Sequence, residues 1–211
     1  MTDREGGLDV TLVAEAAVFS SATLHEAAGQ VGALPAAIKP LGDSMRLCGP
    51  ALTVQGPPGD NLWLHRAIAQ AAPGEVLVVT VSGAHEFGYW GGIMTTAATA
   101  RGLAGLVIDG CVRDGDELVA SGFPVFARGR AIHGTAKVAA AAGRVNEPIV
   151  LGDGTVASGD LVVGDADGVV ALPRDSVREV LTAALAREKK EATIAEALRQ
   201  GRTTLEVYGW K

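Results

Sequence analysis

Apolar and polar positions alternate along the chain in short blocks, which predict strands and helices in turn. Two blocks, Glu75–Ser82 and Leu103–Asp109, are too apolar for the edge of a sheet and predict buried strands. The other predicted elements of the first 130 residues are helices over Val10–Phe19, from Thr23, over Asn61–Ala72, Ile93–Arg101 and Glu117–Ser121, and strands over Ala51–Gln55 and Pro124–Ala127. This alternation predicts an α/β fold.

Local signals give two helix starts and one loop. Thr23 and Glu26 have the Ser/Thr-x-x-Glu spacing of a capping box, so a helix is predicted to begin at Thr23. Asp60 follows a Gly-Pro-Pro-Gly break and is expected to cap the helix after it. Gly110–Asp116 is predicted to be a loop after the second buried strand.

The pattern changes after residue 132, where short apolar segments are separated by Gly and Asp. These segments predict a β-hairpin or small-barrel region with strands at Ile149–Leu151, Thr155–Ala157, Asp160–Gly164 and Val169–Leu172. The turns at Gly152–Gly159 and Asp165–Gly168 look like phosphate or calcium loops. The first lacks the P-loop lysine and the second lacks the closing glutamate of an EF-hand, so both are predicted to be hairpin turns.

The chain is predicted to end in a long helix, about residues 174–200, that Gly201 stops. Its apolar stripe is expected to pack, and Glu191 lies on that stripe by spacing. A carboxylate on a packing face is costly unless it is paired or metal-bound, so a salt bridge and a metal role both stay open. The polar tail 202–211, with Tyr208 and Trp210, is expected to be frayed or docked on a neighbour. We predict one domain over residues 1–211.

Composition narrows the class of protein. The 211 residues include 18 basic and 24 acidic side chains, for a net charge of −6, which argues against a nucleic-acid binder. Hydrophobic residues make up 48% of the chain, which excludes disorder. Neither a membrane-spanning run nor a signal peptide is recognised, so a cytoplasmic protein is expected. Cys48 and Cys111 lie far apart and indicate neither a zinc cluster nor a disulfide scaffold.

One glycine-rich loop is a candidate anion site. Gly83–Gly92 connects a predicted strand to a helix, whose first N–H groups can bind an anion. The loop has neither the GxGxxG nor the P-loop pattern, so a nucleotide is not favoured; a plain turn stays open. Among His25, His65, His85 and His133 none share a helix face, and only His85, in this loop, is kept as a candidate. No GxSxG motif indicates serine chemistry.

Arg113 and Asp114 are the most informative pair. They follow a buried strand, where α/β proteins place their sites. The alternative is a helix-capping aspartate beside a solvated arginine.

Five segments together resemble one family. They are PGDNLWLHRAIAQAAPGEVLVV, GYWGG followed after twenty residues by RD, FPVFARG, SGDLVVGDADGVVALPRD and GRTTLEVYGW. The chain resembles the class II pyruvate aldolases typified by 4-hydroxy-4-methyl-2-oxoglutarate / 4-carboxy-4-hydroxy-2-oxoadipate aldolase. That family also includes the regulator of ribonuclease E activity, and members have been labelled demethylmenaquinone methyltransferases.

The resemblance implies an α-β-β-α sandwich resembling the swivelling phosphohistidine domain, in homotrimers or homohexamers. It implies a Mg²⁺ or Mn²⁺ lyase that acts on a pyruvyl-type 2-oxo acid, by retro-aldol cleavage or oxaloacetate-type decarboxylation through an enolate. Asp114 matches the direct metal ligand and Arg113 the arginine on the pyruvyl oxygens. Glu26 and Glu191 match carboxylates that hold metal-bound waters, one of them supplied by a neighbouring subunit. The expected substrate-binding residues are Gly91, Gly92, Ile93 and Met94. Of these, Ile93 and Met94 are expected to bind the substrate carboxylate through their backbone N–H groups.

One position departs from the family motif, Gly-x-x-x-Asp/Glu before the twenty-residue spacer. In the family, the acid of that motif is expected to hydrogen-bond a metal-bound water that moves the substrate proton. In this chain Gly92 occupies the position of that acid. Glu86 and His85 in the same loop are candidate substitutes. The alternatives are a different reaction on a related acid, or a binding or regulatory protein without turnover.

Overall fold

The computed structural model describes residues 8–210, and its central feature is an eight-stranded sheet that curls into a nearly closed barrel. The sheet order is β1-β5-β4-β3-β2-β9-β10, and β6 also pairs with β2. The strands are β1 Lys39–Pro40, β2 Leu47–Gln55, β3 Val76–Thr80, β4 Gly105–Val112, β5 Val125–Arg130, β6 Arg144–Val145, β7 Ile149–Leu151, β8 Gly154–Val156, β9 Leu161–Asp165 and β10 Gly168–Leu172.

Strands β2 to β5 are parallel, whereas β9 and β10 form an antiparallel hairpin beside β2. The segment before and including β1 brings the two edges together. Ala33 bridges to Val170 of β10, and Lys39 pairs with Ala127 of β5. Strands β7 and β8 form a separate two-stranded hairpin, as the Gly/Asp turn spacing predicts.

Helices cover both outer faces of the sheet. The helices are α1 Val10–Ala16, α2 Ser21–Ala27, α3 Leu62–Gln70, α4 Gly92–Ala100, α5 Gly115–Ser121, α6 Val177–Arg199 and α7 Thr204–Tyr208, with a 3₁₀ turn at Arg174–Ser176. Helices α3 and α4 pack on the parallel strands, and α1, α2 and the first half of α6 pack on β9 and β10. A third apolar cluster fills the interior between the two halves of the sheet. The predicted α/β fold with a long C-terminal helix is confirmed.

The alternation of side chains explains these three clusters, because neighbouring strand residues point to opposite faces. In β3, Leu77 and Val79 face α3 and α4, whereas Val76 and Val78 face the interior. A strand covered on both sides must be apolar at every position, which accounts for the run at Glu75–Ser82.

Several predicted boundaries are wrong for identifiable reasons. Helix α2 begins at Ser21 rather than Thr23, because the Ser20 hydroxyl accepts the Thr23 N–H at 3.0 Å and Ser20 is the N-cap. Strand β4 continues to Val112, so Gly110 does not start a loop. Gly110 lies inside the strand and packs closely on its neighbours, since an added Cβ would come within 3.1 Å of the Tyr89 and Val81 side chains. The N-cap of α3 is Asn61 rather than the predicted Asp60; Asp60, one position earlier, accepts the N–H of Leu62, the first helical residue, at 2.8 Å.

The end of the chain is more ordered than its polarity suggests. Tail residues 204–208 form α7, which begins with a capping box between Thr203 and Glu206. The rings of Tyr208 and Trp210 stack at 4.5 Å and stay exposed. Lys211 lies outside the described residues. Within the described part of the chain, no helix is long and apolar enough to cross a membrane.

Candidate active site

A pocket of about 200 Å³ lies where β4 ends and α4 begins. Arg113 and Asp114 enter it directly after β4. Of the sequence-predicted site residues, the pocket brings together Gly91, Ile93, Met94, Arg113 and Asp114. The end of β4 and the start of α4 therefore bring together two candidate features that are separate along the chain, the Arg-Asp pair and the glycine-rich loop.

Asp114 has an unusual backbone conformation. Its φ of 58° and ψ of 37° lie in the left-handed region, which few residues other than glycine adopt, although Asp and Asn do so more readily than most. Strained backbone of this kind concentrates at functional sites, where surrounding structure holds it. Here the Trp90 carbonyl accepts the Arg113 N–H at 2.9 Å and fixes the chain just before the strained residue.

Glycines let the loop approach these two side chains closely. A Cβ added at Gly91 would overlap Oδ2 of Asp114, and one added at Gly88 would press on the Arg113 side chain. The same Asp114 oxygen accepts the N–H of Gly92 at 3.1 Å and lies 3.8 Å from Nε of Arg113. The second oxygen, Oδ1, has no hydrogen-bond partner among residues 8–210. Asp114 thus keeps one carboxylate oxygen for a ligand.

The first turn of α4 supplies N–H groups to the pocket. The Met94 N–H is donated to the Gly91 carbonyl at 3.1 Å, while no acceptor for the Ile93 N–H is found in the described part of the chain. Ile93 as a whole is 84% exposed, so a ligand can reach this turn of the helix. Unpaired N–H groups at a helix start attract anions.

Three polar residues of the pocket were not singled out as site residues by sequence reasoning: Asn61, His65 and Lys137. Asn61 is buried and its Nδ2 donates to the Tyr89 carbonyl at 2.9 Å, yet its Oδ1 has no partner among the described residues. Burial lowers the pKa of His65, and the neighbouring Lys137 charge lowers it further. Both causes favour the neutral imidazole of His65, and the positively charged side chains that line the pocket are Arg113 and Lys137.

Lys137 reaches the pocket through a tertiary contact. Asp60 Oδ2 accepts the Val138 N–H at 2.5 Å, and the Ala136 N–H donates to the Gly59 carbonyl at 2.8 Å. These bonds hold the irregular segment around residue 137 against the start of α3. The sequence carries no local signal for this placement.

The other sequence candidates lie elsewhere. His85 does not line the pocket; its Nδ1 lies 2.6 Å from the Asp109 carbonyl oxygen. Glu26 and Glu191 meet at Arg187, at 3.2 Å and 2.8 Å, between α2 and α6. Glu191 is exposed, because only the first half of α6 packs against the rest of the chain. The prediction that Glu191 lies on a packing face is therefore wrong for a single subunit. Among residues 8–210, no three His, Cys, Asp or Glu side chains form a metal-binding group.

This fold and this pocket define a mixed α/β protein with a candidate ligand site at the end of a buried parallel strand. Residues 12–171 match the RraA-like family model, described as Aldolase/RraA, and the chain belongs to that family. A Halalkalibacterium halodurans protein that is provisionally named 4-hydroxy-4-methyl-2-oxoglutarate aldolase is 35% identical over 175 residues, 83% of this chain and 82% of that protein.

Solved structures agree with this membership. The crystal structure of an uncharacterised Pseudomonas syringae pv. tomato protein has a TM-score of 0.81 and 33% identity, and the match covers 96% of this chain and 98% of that one. Streptomyces coelicolor RraAS2, described as an unusual member of the RNase ES inhibitor RraA protein family, has a TM-score of 0.78 and 28% identity over 90% and 99% of the two chains.

Proposed function

We propose that the Arg113–Asp114 pocket is the active site of a divalent-metal-dependent lyase. The substrate is a pyruvyl-type 2-oxo acid, and the reaction is retro-aldol cleavage or decarboxylation of an oxaloacetate-type acid. The observation that carries this proposal is the convergence of Arg113, Asp114 and the free N–H of Ile93 in one pocket. The provisional aldolase name of the Halalkalibacterium relative supports it.

The residues present fit a hydrated Mg²⁺ or Mn²⁺ ion. Mg²⁺ keeps several waters and needs only one or two carboxylates, which Asp114 can begin to supply through Oδ1. The orphaned Oδ1 of buried Asn61 requires a donor, and an ion-bound water or a substrate hydroxyl would provide one. When bound, such an ion would polarise the 2-oxo carbonyl as a Lewis acid.

The chain's own groups have separable tasks in this proposal. The Ile93 N–H and the start of α4 bind the substrate carboxylate. Among residues 8–210, the Arg113 guanidinium is paired only with Asp114, at 3.8 Å, and its other donors offset the negative charge that develops on the pyruvyl oxygen. Lys137 attracts a second anionic group at the outer side of the pocket. All three interactions favour an anionic 2-oxo acid.

Assembly belongs to the same proposal. Glu26 and Glu191 stand with Arg187 and not with Asp114, so a role for either at the ion requires a neighbouring subunit. Leu185 of α6 and Leu205 of α7 are each about half exposed, so both helices offer apolar surface for such a contact. We expect a homotrimer or homohexamer.

A second candidate is a regulatory protein without turnover. It is favoured by the description of RraAS2 as a member of an RNase inhibitor family. In that role the protein would act through contacts with a ribonuclease, and the Arg113–Asp114 pocket would be dispensable.

A panel of 2-oxo acids separates the two candidates. The protein, with Mg²⁺ or with EDTA, is given 4-hydroxy-4-methyl-2-oxoglutarate, oxaloacetate and related acids, and pyruvate release is followed. We expect release that depends on the metal and that falls when Arg113→Gln removes the guanidinium. Absence of release from every acid, together with inhibition of a ribonuclease that survives Arg113→Gln, would support the regulatory candidate instead.

A further inference from the structure

The side chain of Glu117 occupies the space that Gly92 leaves empty. A Cβ added at Gly92 would overlap both carboxylate oxygens and Cδ of Glu117. Gly92 is the first residue of α4 and has ordinary helical backbone, so the glycine is not required by its φ angle. A side chain at position 92 would therefore meet the flexible end of the exposed Glu117 side chain, which would have to move aside.

Glu117 and Asp114 lie on either side of the same loop. Asp114 contacts Gly91 and accepts the Gly92 N–H, while Glu117 covers Gly92. Both carboxylates lie against Gly92, since Asp114 Oδ2 accepts its N–H at 3.1 Å and a Cβ added there would overlap the Glu117 carboxylate. Glu117 lines the cavity that adjoins the Arg113–Asp114 pocket across Gly91 and Gly92.

The Glu117 carboxylate has no structural task that would explain this position. It makes no hydrogen bond or ion pair with any other residue in the range 8–210. By contrast Asp116, its neighbour on α5, is paired with Arg130 at 3.2 Å. Both Glu117 carboxylate oxygens are therefore available to a substrate group or a water.

We infer that Glu117 is the proton-transferring group of this site and supplies from α5 the carboxylate that position 92 lacks. The inference rests on the proposed function, because it needs a substrate whose cleavage moves a proton.

In the cleavage of a 4-hydroxy-2-oxo acid, the Glu117 carboxylate accepts the C4 hydroxyl proton, directly or through one water. The C4 oxygen then forms a carbonyl, the C3–C4 bond breaks and its electron pair forms the pyruvate enolate. The proton held by Glu117 passes to C3, which gives pyruvate and a second carbonyl compound and restores the carboxylate. Decarboxylation of oxaloacetate omits the first transfer, since that substrate has no C4 hydroxyl.

This difference between the two substrates makes the inference testable. General acid–base assistance contributes roughly 10²- to 10⁴-fold to a rate, so we expect Glu117→Gln to lower retro-aldol turnover by about that factor. Oxaloacetate decarboxylation should fall much less. The pH profile of the residual aldol reaction should also lose its acidic limb, which a purely structural role would not remove.

Two further variants move the carboxylate rather than delete it. Gly92→Ala adds a methyl group that displaces the flexible end of Glu117, and it should reproduce the aldol defect in a folded protein. The double variant Gly92→Asp/Glu117→Ala returns an acid to position 92 and should recover much of the lost turnover. Asp116→Asn is the matched control on the same helix and should leave both reactions close to wild type.

The outcomes distinguish the inference from the function on which it rests. A wild-type protein that cleaves the aldol substrate, with Glu117→Gln equally active and an unchanged pH profile, would overturn the inference and leave the lyase in place. A wild-type protein that turns over neither acid in the presence of Mg²⁺ would overturn the proposed function, and the inference with it.

Discussion

Two aspartates at strand ends show how differently this fold uses a carboxylate. Asp165 ends β9 and is buried against α2, where its oxygens accept the Ser21 N–H and hydroxyl at 2.7 Å and the Asp167 N–H at 3.1 Å. Asp114 follows β4, is 42% exposed, and accepts a single N–H. A carboxylate with every oxygen bonded holds two elements together, whereas one with a free oxygen on strained backbone is available to a ligand.

The pKa of Asp165 expresses the same contrast. Burial alone would raise it, but the bonds from Ser21 and from the Asp167 N–H outweigh burial, and the pKa lies below its ordinary value. A lowered folded-state pKa stabilises the protein above the unfolded pKa of about 4, and this contribution is lost as the pH falls through the folded pKa.

The largest effect is expected at the ligand-binding aspartate. Asparagine tolerates the left-handed conformation of Asp114, so Asp114→Asn should fold normally while it loses the anionic ligand. Loss of a residue that only supports a metal ligand typically lowers metal affinity by roughly 10- to 100-fold. Because Asp114 is proposed to be the ligand itself, Mg²⁺ affinity, measured by calorimetry, should fall by more than that. Unchanged affinity would remove Asp114 from the ion site.

Asp165→Asn should give the opposite result. One of the two Ser21 donors loses its acceptor, so the free energy of unfolding, from urea titration at pH 7, should fall by about 2 kcal/mol. Mg²⁺ affinity should stay at the wild-type value.

The pH dependence sharpens this second prediction. As the pH falls below about 4, the wild-type protein should lose the stability that the Asp165→Asn variant has already lost. Plots of the unfolding free energy against pH should therefore converge for the two proteins. Curves that stay parallel over this range would show that Asp165 does not contribute through its charge.

The smallest effect concerns the distant glutamates. If Glu191 holds an ion-bound water across a subunit interface, Glu191→Gln should lower Mg²⁺ affinity by about tenfold. Glu188→Gln, an exposed glutamate on the same helix, is the control. Equal affinity in both variants would restrict Glu191 to its exposed pair with Arg187, which contributes little to stability.

The comparison also shows which features sequence patterns can predict. The buried strands and the Arg113–Asp114 pair are predictable because apolar runs and adjacent residues are local signals. Lys137 is not, because the bond between Asp60 and Val138 that places it joins distant parts of the chain. Glu117 is missed for the same reason: the motif locates the missing acid at Gly92, but only packing of α4 against α5 shows what fills its place. The exposure of Glu191 is not predictable either, because helical periodicity does not reveal where along its length α6 stops packing against the rest of the chain.

Exchange of pyruvate methyl protons tests the central claim most directly, because it reports enolate formation whatever the rest of the natural substrate. Pyruvate is incubated in D₂O with the protein and Mg²⁺, and loss of the methyl signal is followed by proton NMR. We predict exchange with the wild-type protein that stops with EDTA and in Asp114→Asn. Absence of exchange in the folded, Mg²⁺-saturated wild-type protein, or exchange that persists in Asp114→Asn, would contradict the assignment of this pocket as a metal-dependent lyase site.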